Sequence, residues 1–467
     1  MTEIFGATDI DALMRDKTAR VHFVGIGGTG MSAYADFRAL SGAATSGSDR
    51  GFDAGRNLEQ RDAFIARGIS IFPQDGSGVM GARAVVVSAA IEKTVPDYAA
   101  AVARSIPVIT RADWLAAHYR AYPAIAITGT SGKSTVTAMV FDILQTLGAD
   151  PSLISGAELK SLRRAGAPGN AAFGTGPLVI EADESDKGIA GYTPEIGVIL
   201  NLQRDHDEPE NMLPALVSFQ KNCRRACVIS DDPALAPLRG TARVFGETAP
   251  DPAYRISKIN LGPTESDFSF GDVPVHLNLP GRHNVDNAAA ALAVVQTMGL
   301  SVPHAAAALT TYQGVARRFD IIADQGGICV VDDYAHNPIK IGAVIGAAHL
   351  RGQRLLICYQ PHGFGPTRFM RHDLVEMFAR VLGPSDQLYI APIYYAGGTA
   401  AHDIASSDLV NDLKAKGTRA IALADRSDFI GAVREKAQVG DVILIVGGRD
   451  PLLPNFARDV AAAVISE

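Results

Sequence analysis

Short apolar runs alternate with glycine-rich or polar turns and with longer stretches of helical period along the whole chain. VHFV runs into GIGGTG at residues 21–30, with helical spacing to about Leu40. Short strands are expected near 43–46, at AVVVSAAI (84–91) and at PVIT (107–110). A second series contains AIAITGTSGKST (124–135), PLVIEADESD (177–186), IGVILNLQRDHD (196–207) and RACVISDD (225–232). Shorter alternation over 251–280 predicts an antiparallel appendage, and GRHNVDNAAAALAVVQTMG (281–299) a long alanine-rich helix. The third series is GICVVDDYAHNP (327–338), QRLLICYQPH (353–362), DQLYIAPIY (386–394), RAIALAD (419–425) and DVILIVGGRD (441–450). Strands separated by helical intervals predict an α/β fold with mostly parallel sheets. Boundaries are expected at about 115 and 312, with a hinge over 312–319.

A chain of 467 residues exceeds what one hydrophobic core usually serves, which supports several domains. At 47% hydrophobic and 20% charged residues, disorder is excluded as the main state. With 43 basic against 50 acidic residues the net charge is -7, which argues against a nucleic-acid partner but leaves room for a local phosphate pocket. The four cysteines supply neither a disulfide framework nor a zinc set, which points to a reducing compartment. No run is long and apolar enough to span a membrane, and MTEIFGATDIDALMRD has no signal-peptide pattern. A cytoplasmic enzyme without membrane insertion is expected.

The run TGTSGKST, residues 128–135, carries the most chemistry. A strand feeding a glycine-rich turn and then a helix aims backbone N–H groups at an anion. Gly129, Thr130, Ser131, Gly132, Lys133, Ser134 and Thr135 are thus the expected ATP loop, with Lys133 adding charge and Ser134 facing Mg²⁺. The full phosphate-loop pattern wants a glycine at Ile127, so this is a shortened variant. The earlier GIGGTG supplies Gly25, Gly27, Gly28, Thr29 and Gly30, with Asp49 after the next strand, where a dinucleotide fold places its ribose acid. Alone it suggests an NAD-linked oxidoreductase, yet the motif specifies only a turn beneath a diphosphate. Glycines kept for helix–strand packing are the plain alternative.

Glu181, Asp183, Glu184 and Asp186 cluster after the strand LVI. A carboxylate there is the natural Mg²⁺ partner of Ser134, and Glu181 is first in line; a solvated acidic turn is less attractive. His206, beside Asp205, is a candidate for a second divalent ion or the γ-phosphate. In DDYAHNP, Asp333 and His336 fall on a loop before a helix that opens at Pro338. Asn337 could simply cap that helix.

These motifs, in this order over nearly the whole chain, resemble the Mur ligase family, and within it the branch that joins L-alanine to UDP-N-acetylmuramate. VHFVGIGGTGMS resembles the uridine-diphosphate loop, TGTSGKST the ATP loop, EADESD and DH the metal positions, and GRHNVDNAAAA the helix near adenine. GVARRF, DDYAHNP and YQPHGFGPTR resemble the hinge and C-terminal signatures. The resemblance implies three domains: a Rossmann-like UDP-sugar domain over 1–115, a P-loop ATPase-like domain over 116–312 and a Rossmann-like amino-acid domain over 313–467. It implies catalytic roles for Lys133, His206, Arg318 and Asp333, and ATP contacts from the loop, His283, Asn287, Arg318 and Asp333. Ser134, Glu181 and His206 would hold metal. Gly25, Gly27, Gly28, Thr29, Gly30, Asp49, Ser88, His336 and Arg368 would bind substrate.

The implied reaction activates a carboxylate as an acyl phosphate, which an amine then attacks to give the amide, ADP and phosphate. Domain closure would exclude water from that intermediate. The partners are a UDP-linked sugar carboxylate and an amino acid, expected to be L-alanine, or a short peptide, in a monomer or homodimer. The chain departs from the branch at Ser131, usually histidine, at Asn337, again usually histidine, and at Gly363, usually arginine, and in the segment KGIAGYTPEI after EADESD. These changes fall on the expected amino-acid side, so a ligase for a peptide or another amino acid is the near alternative. Arg368 or Arg371 could replace the missing arginine.

Overall fold

Each glycine-rich turn follows a strand buried along its whole length: Val21–Val24 before one loop and Ala124–Thr128 before the other. The computed structural model describes residues 7–88, 91–163, 168–182, 188–204, 208–395 and 401–465. The described strands form four sheets.

The first sheet runs in the order Ser70–Phe72, Thr45–Ser48, Val21–Val24, Ala84–Val87, Val108–Thr110, parallel throughout. The strand order reverses on either side of Val21–Val24, the switch point at which doubly wound sheets collect ligands. The helix Arg111–Ala121 closes this layer and runs past residue 115, so the connection to the next sheet is residues 122–123.

The second sheet runs Arg243–Phe245, Ala226–Ser230, Ile196–Ile199, Ala124–Thr128, Leu178–Glu181, Ser152–Ile154, Ala171–Ala172. Only the last pairing is antiparallel. A third, three-stranded sheet comprises Ile256–Leu261, Ser266–Phe270 and Val273–Leu277. The two-residue connection between the last two strands permits only a hairpin, as the short alternation of 251–280 predicts.

The fourth sheet runs Asp320–Gln325, Ile328–Asp333, Asp441–Gly447, Arg354–Gln360, Gln387–Ile390, Ala420–Ala422. Its first strand is antiparallel and the rest are parallel. Alternate residues feed opposite faces, as the two-residue strand period requires. Val331, Leu355, Ile357, Tyr359 and Leu444 pack with Phe378 on one side. Val330, Leu356, Cys358 and Ile443 pack with Phe429 and Phe456 on the other.

The chain divides into two compact units. One comprises Met1–Ser257, Ser269–Val275 and Asp286–Val315; the other comprises Lys258–Phe268, His276–Val285 and Ala316–Glu467. In the first unit one continuous core includes Phe23, Phe37, Trp114 and Tyr119 around the first sheet, and Tyr192 and Phe219 around the second. The Tyr119 and Tyr192 rings meet with centroids 4.9 Å apart. Burying an apolar side chain such as Phe23 or Phe219 contributes about 1.5–3 kcal/mol.

Candidate active site

Gly129 and Gly132 take φ values of 125° and 90°, which L side chains rarely adopt. A Cβ on Gly129 would stand 3.0 Å from the Asn201 backbone nitrogen, and one on Gly132 would collide with Asn287 Oδ1. The loop is thus narrow as well as strained. Asn201 brackets it: its Oδ1 accepts from the Ser131 N–H at 2.9 Å and its Nδ2 donates to the Ser131 carbonyl at 3.0 Å. Thr130 Oγ1 accepts from the Gln203 N–H at 3.0 Å. The helix Lys133–Thr146 starts directly behind, without a side-chain cap, so its first N–H groups face the loop. Lys133 Nζ donates to the Gly129 carbonyl at 2.8 Å, holding its charge over the turn.

Glu181 ends the strand Leu178–Glu181, next to Ala124–Thr128. Its Oε2 accepts from Ser134 Oγ at 3.2 Å. Its Oε1 accepts from Ser155 Oγ and the Gly156 N–H, both at 2.8 Å. A hydroxyl and an oriented carboxylate beside a phosphate loop form the hard-oxygen donor pair that suits Mg²⁺, which takes few protein ligands and completes its shell with phosphate and water. The residues present fit that ion. His206, with Asp183, Glu184, Asp186 and Asp205, lies outside the described residues.

In the first glycine loop, Gly25 has φ 73° and, with Ile26, donates to the Ser48 carbonyl at 2.8 and 3.1 Å. Asp49 Oδ2 accepts from the Gly27 N–H at 3.0 Å and its Oδ1 from the Gly51 N–H at 2.7 Å. The carboxylate therefore ties the loop to the short helix Arg50–Asp53 that it caps. A Cβ on Gly27 would press against Asp49 and Phe52, and one on Gly30 would strike the Arg111 guanidinium. The helix Thr29–Leu40 begins at this turn. Ser88 follows the strand Ala84–Val87, at the same carboxyl edge. Asn170 Nδ2 donates to Ser32 Oγ at 2.9 Å, joining this loop's helix to the second sheet.

His283 and Asn287 stand one turn apart on the helix Arg282–Met298. Desolvation pushes the His283 pKa down to about 4, although its side chain keeps some solvent contact, so the ring is neutral near pH 7.

In the second unit, buried Asp333 accepts from the Phe319 N–H at 2.6 Å and the Ala335 N–H at 2.7 Å. Burial raises its pKa; the Arg318 charge and those two bonds oppose the rise. Arg318 lies 5.1 Å from the Tyr334 ring centroid. Its neighbour Arg317 also lies over that ring, at 4.9 Å, and bonds Asp332 at 3.1 Å and the Gly447 carbonyl at 2.7 Å. Desolvation lifts the Asp332 pKa to about 6 against the pull of Arg317. His336 and His362 meet edge-on with centroids 5.1 Å apart. Asn337 is the N-cap of the helix Pro338–Arg351, its Oδ1 accepting from the Lys340 N–H at 2.9 Å. Arg368 is exposed and paired with Asp403, and Arg371 with Asp412 at 2.7 Å. Gly363 has φ 72° ahead of the helix Phe364–Val381.

Three segments match, in order: the Mur ligase family catalytic domain at residues 20–123, the middle domain at 127–295 and the glutamate ligase domain at 317–449. The chain belongs to the Mur ligase family. It is 35% identical over 460 residues to UDP-N-acetylmuramate–L-alanine ligase of Burkholderia cenocepacia, covering 93% of this chain and 96% of the relative. It is 33% identical to the enzyme of the same name from Nitrosomonas eutropha over 463 residues, covering 93% and 95%. The fold is shared with UDP-N-acetylmuramate–alanine ligase of Thermotoga maritima: TM-score 0.79 at 24% identity, covering 96% and 99%. It is also shared with a murein peptide ligase of Psychrobacter arcticus: TM-score 0.66 at 20% identity, covering 96% and 99%.

Membership makes this a three-domain, ATP-dependent ligase with Rossmann-like and P-loop-like parts. Within that Mur ligase frame, sequence reasoning missed Asn201, Gln203 and Ser155, the residues that brace the glycine-rich loop 128–135 and orient Glu181. The motif TGTSGKST carries no trace of them. Ser155 could have been suspected only from its place after the short strand Ser152–Ile154.

Proposed function

We propose that the chain joins the amino group of an amino acid, L-alanine first among candidates, to the carboxylate of UDP-N-acetylmuramate while ATP becomes ADP and phosphate. The observation that carries this reading is the Ser134–Glu181 pair at the ATP loop, in one unit with a diphosphate-type glycine turn. The names of the relatives at 35% and 33% identity support the two substrates. On this reading residues 1–115 take the UDP sugar, 116–312 take ATP and 313–467 take the amine.

Gly25, Gly27, Gly28, Thr29 and Gly30 offer backbone to the diphosphate, Asp49 holds that turn in shape, and Ser88 lies at the same edge. The N–H groups of residues 129–135 cradle the ATP phosphates, and Lys133 moves its charge from the Gly129 carbonyl to the transferring phosphoryl group. Asn287 and neutral His283 serve the nucleotide. Ser134 and Glu181, with His206, would hold Mg²⁺, which supplies positive charge against the β- and γ-phosphates. Arg318 and Asp333 act on the nucleotide or the approaching amine. His336 and Arg368 line the amine side, Arg368 only after release from Asp403.

A peptide in place of the amino acid is the second reading. It is favoured by Gly363, which stands where the resembling branch usually carries arginine and cannot offer a side chain to the amino-acid carboxylate. Phosphate release with UDP-N-acetylmuramate and a panel of amino acids and peptides, with product masses, tests both readings. A product heavier by one alanine residue supports the first, and a peptide adduct the second. No ATP-dependent adduct with any amine would sink both.

A further inference from the structure

We propose that Arg449 binds the free carboxylate of the incoming amine substrate and so selects amines that carry one. The inference rests on the ligase reading above and adds the residue that recognises the acid end of the substrate.

Arg449 follows the strand Asp441–Gly447, an interior strand of the fourth sheet, at its carboxyl edge. Its φ is 57°, a left-handed conformation uncommon for residues other than glycine. Such outliers gather at ligand sites, where the strain holds a group in place. The surroundings here are specific. The preceding residue, Gly448, has no room for a side chain that would not crowd His336, since its Cβ would stand 3.3 Å from that ring. The following residue, Asp450, is buried, accepts from the Leu452 N–H at 2.9 Å and pairs with Arg426. The loop is thus pinned on both sides of Arg449, while Arg449 itself is exposed.

The other arginines of this region are committed. Arg317 pairs with Asp332, Arg368 with Asp403, Arg371 with Asp412 and Arg426 with Asp450, while Arg318 lies over Tyr334 beside Asp333. Among the described residues Arg449 makes no hydrogen bond, ion pair or ring contact. A free guanidinium held in a strained turn, one residue from the His336 contact, presents a planar two-pronged donor suited to a carboxylate. It supplies the acid recognition that Gly363 cannot offer and that Arg368 offers only by giving up Asp403.

Arg449→Gly and Arg449→Gln test this in the full-length protein. Glycine removes the charge and relieves the backbone, so its melting temperature should equal or exceed wild type; glutamine removes the charge and keeps the bulk. KM and kcat are measured for ATP, for UDP-N-acetylmuramate, for L-alanine and L-alanyl-L-alanine, and for the amides of both amines. Both variants should raise KM for the free acids by roughly 10- to 100-fold while KM for ATP and the UDP sugar stays within about twofold. The amides should be poor in wild type and no poorer in the variants. Equal losses for acids and amides, a rise confined to ATP, or an unmoved KM would overturn the inference while ligation by wild type leaves the function standing. A wild type that ligates neither amine overturns the function and this inference with it.

Discussion

Ser134 Oγ and Glu181 Oε2 lie 3.2 Å apart, one from the helix behind the glycine-rich loop 128–135 and the other from the end of the neighbouring strand. The carboxylate is held by Ser155 and Gly156 through its second oxygen, so its direction is set before any ion arrives. Glu181→Gln keeps the shape and removes the charge. Its expected effect is a shift of the Mg²⁺ activation curve to at least about tenfold higher concentration, with an unchanged melting temperature. Titration of activity against Mg²⁺ checks it; an unmoved curve would pass the ligand role to an acid among residues 183–186.

Lys133 rests on the Gly129 carbonyl, a contact that costs little to give up when phosphate enters. Lys133→Ala retains helix propensity at the first helical position. Turnover at saturating ATP should fall by roughly a hundredfold or more, the scale on which electrostatic stabilisers of phosphoryl transfer act. Single-turnover kinetics beside a thermal melt separates this from unfolding. Turnover near wild type would dismiss the role.

Both glycine loops were legible because everything they need is local: a strand, a turn that only glycine can make, and a helix. That Glu181 ends a strand was legible from the apolar run before it. Asn201 and Gln203 were not, since they reach the loop from the next strand's far end, some 70 residues along the chain. Periodicity also passes over strands of three residues such as Ser70–Phe72 and Ser152–Ile154, too short to show a repeat. Arg317 and Arg318 are adjacent, and only the fold separates the partner of Asp332 from the neighbour of Asp333. Asn337 reads equally as an altered histidine position or as a cap, and its bond to the Lys340 N–H makes it a cap.

The first glycine loop should accept a UDP sugar and refuse NAD. Asp49, the residue a dinucleotide fold would offer to a ribose, already receives the Gly27 and Gly51 N–H groups. Those two bonds hold the carboxylate against the turn, one through each oxygen. Calorimetry should show UDP-N-acetylmuramate binding and no heat from NAD at the same concentrations. NAD binding that the UDP sugar does not displace would reverse the assignment.

The first unit should lose stability in mild acid through His118. Its ring is buried among Trp114, Tyr34, Phe37 and Tyr122. Desolvation pushes its pKa down to about 4, opposed by the bond to the Trp114 carbonyl and assisted by the charge of Arg38. With the unfolded value near 6.5 and the folded value lower, the unfolded chain takes up the proton first. The contribution is therefore complete above about pH 6.5 and is lost as pH falls towards 4, a difference of about 3 kcal/mol at most. His118→Phe should flatten this part of the profile. Urea unfolding at pH 7 and pH 4.5 tests it, and equal slopes in the two proteins would exclude His118 as the source.

Gly363→Arg, the substitution that would restore the side chain usual after QPH, should damage the protein rather than sharpen its use of L-alanine. Gly363 has φ 72° and ψ 131°, a region open to glycine and costly for any L side chain. Its Cβ would also stand 3.2 Å from Pro366 Cδ. Backbone strain of this kind costs of order 1–3 kcal/mol, and the Gly363 carbonyl is meanwhile needed by Thr367, whose N–H and Oγ1 bond it at 3.1 and 2.8 Å. Gly363→Ala separates the two effects, since it imposes the strain without the guanidinium. Both variants should melt lower by similar amounts, and neither should improve the ratio of L-alanine to peptide turnover over wild type. An arginine variant that melts like wild type and gains at least tenfold in preference for L-alanine would show that the turn rearranges to accept the side chain, and that glycine at this position sets the breadth of amine choice.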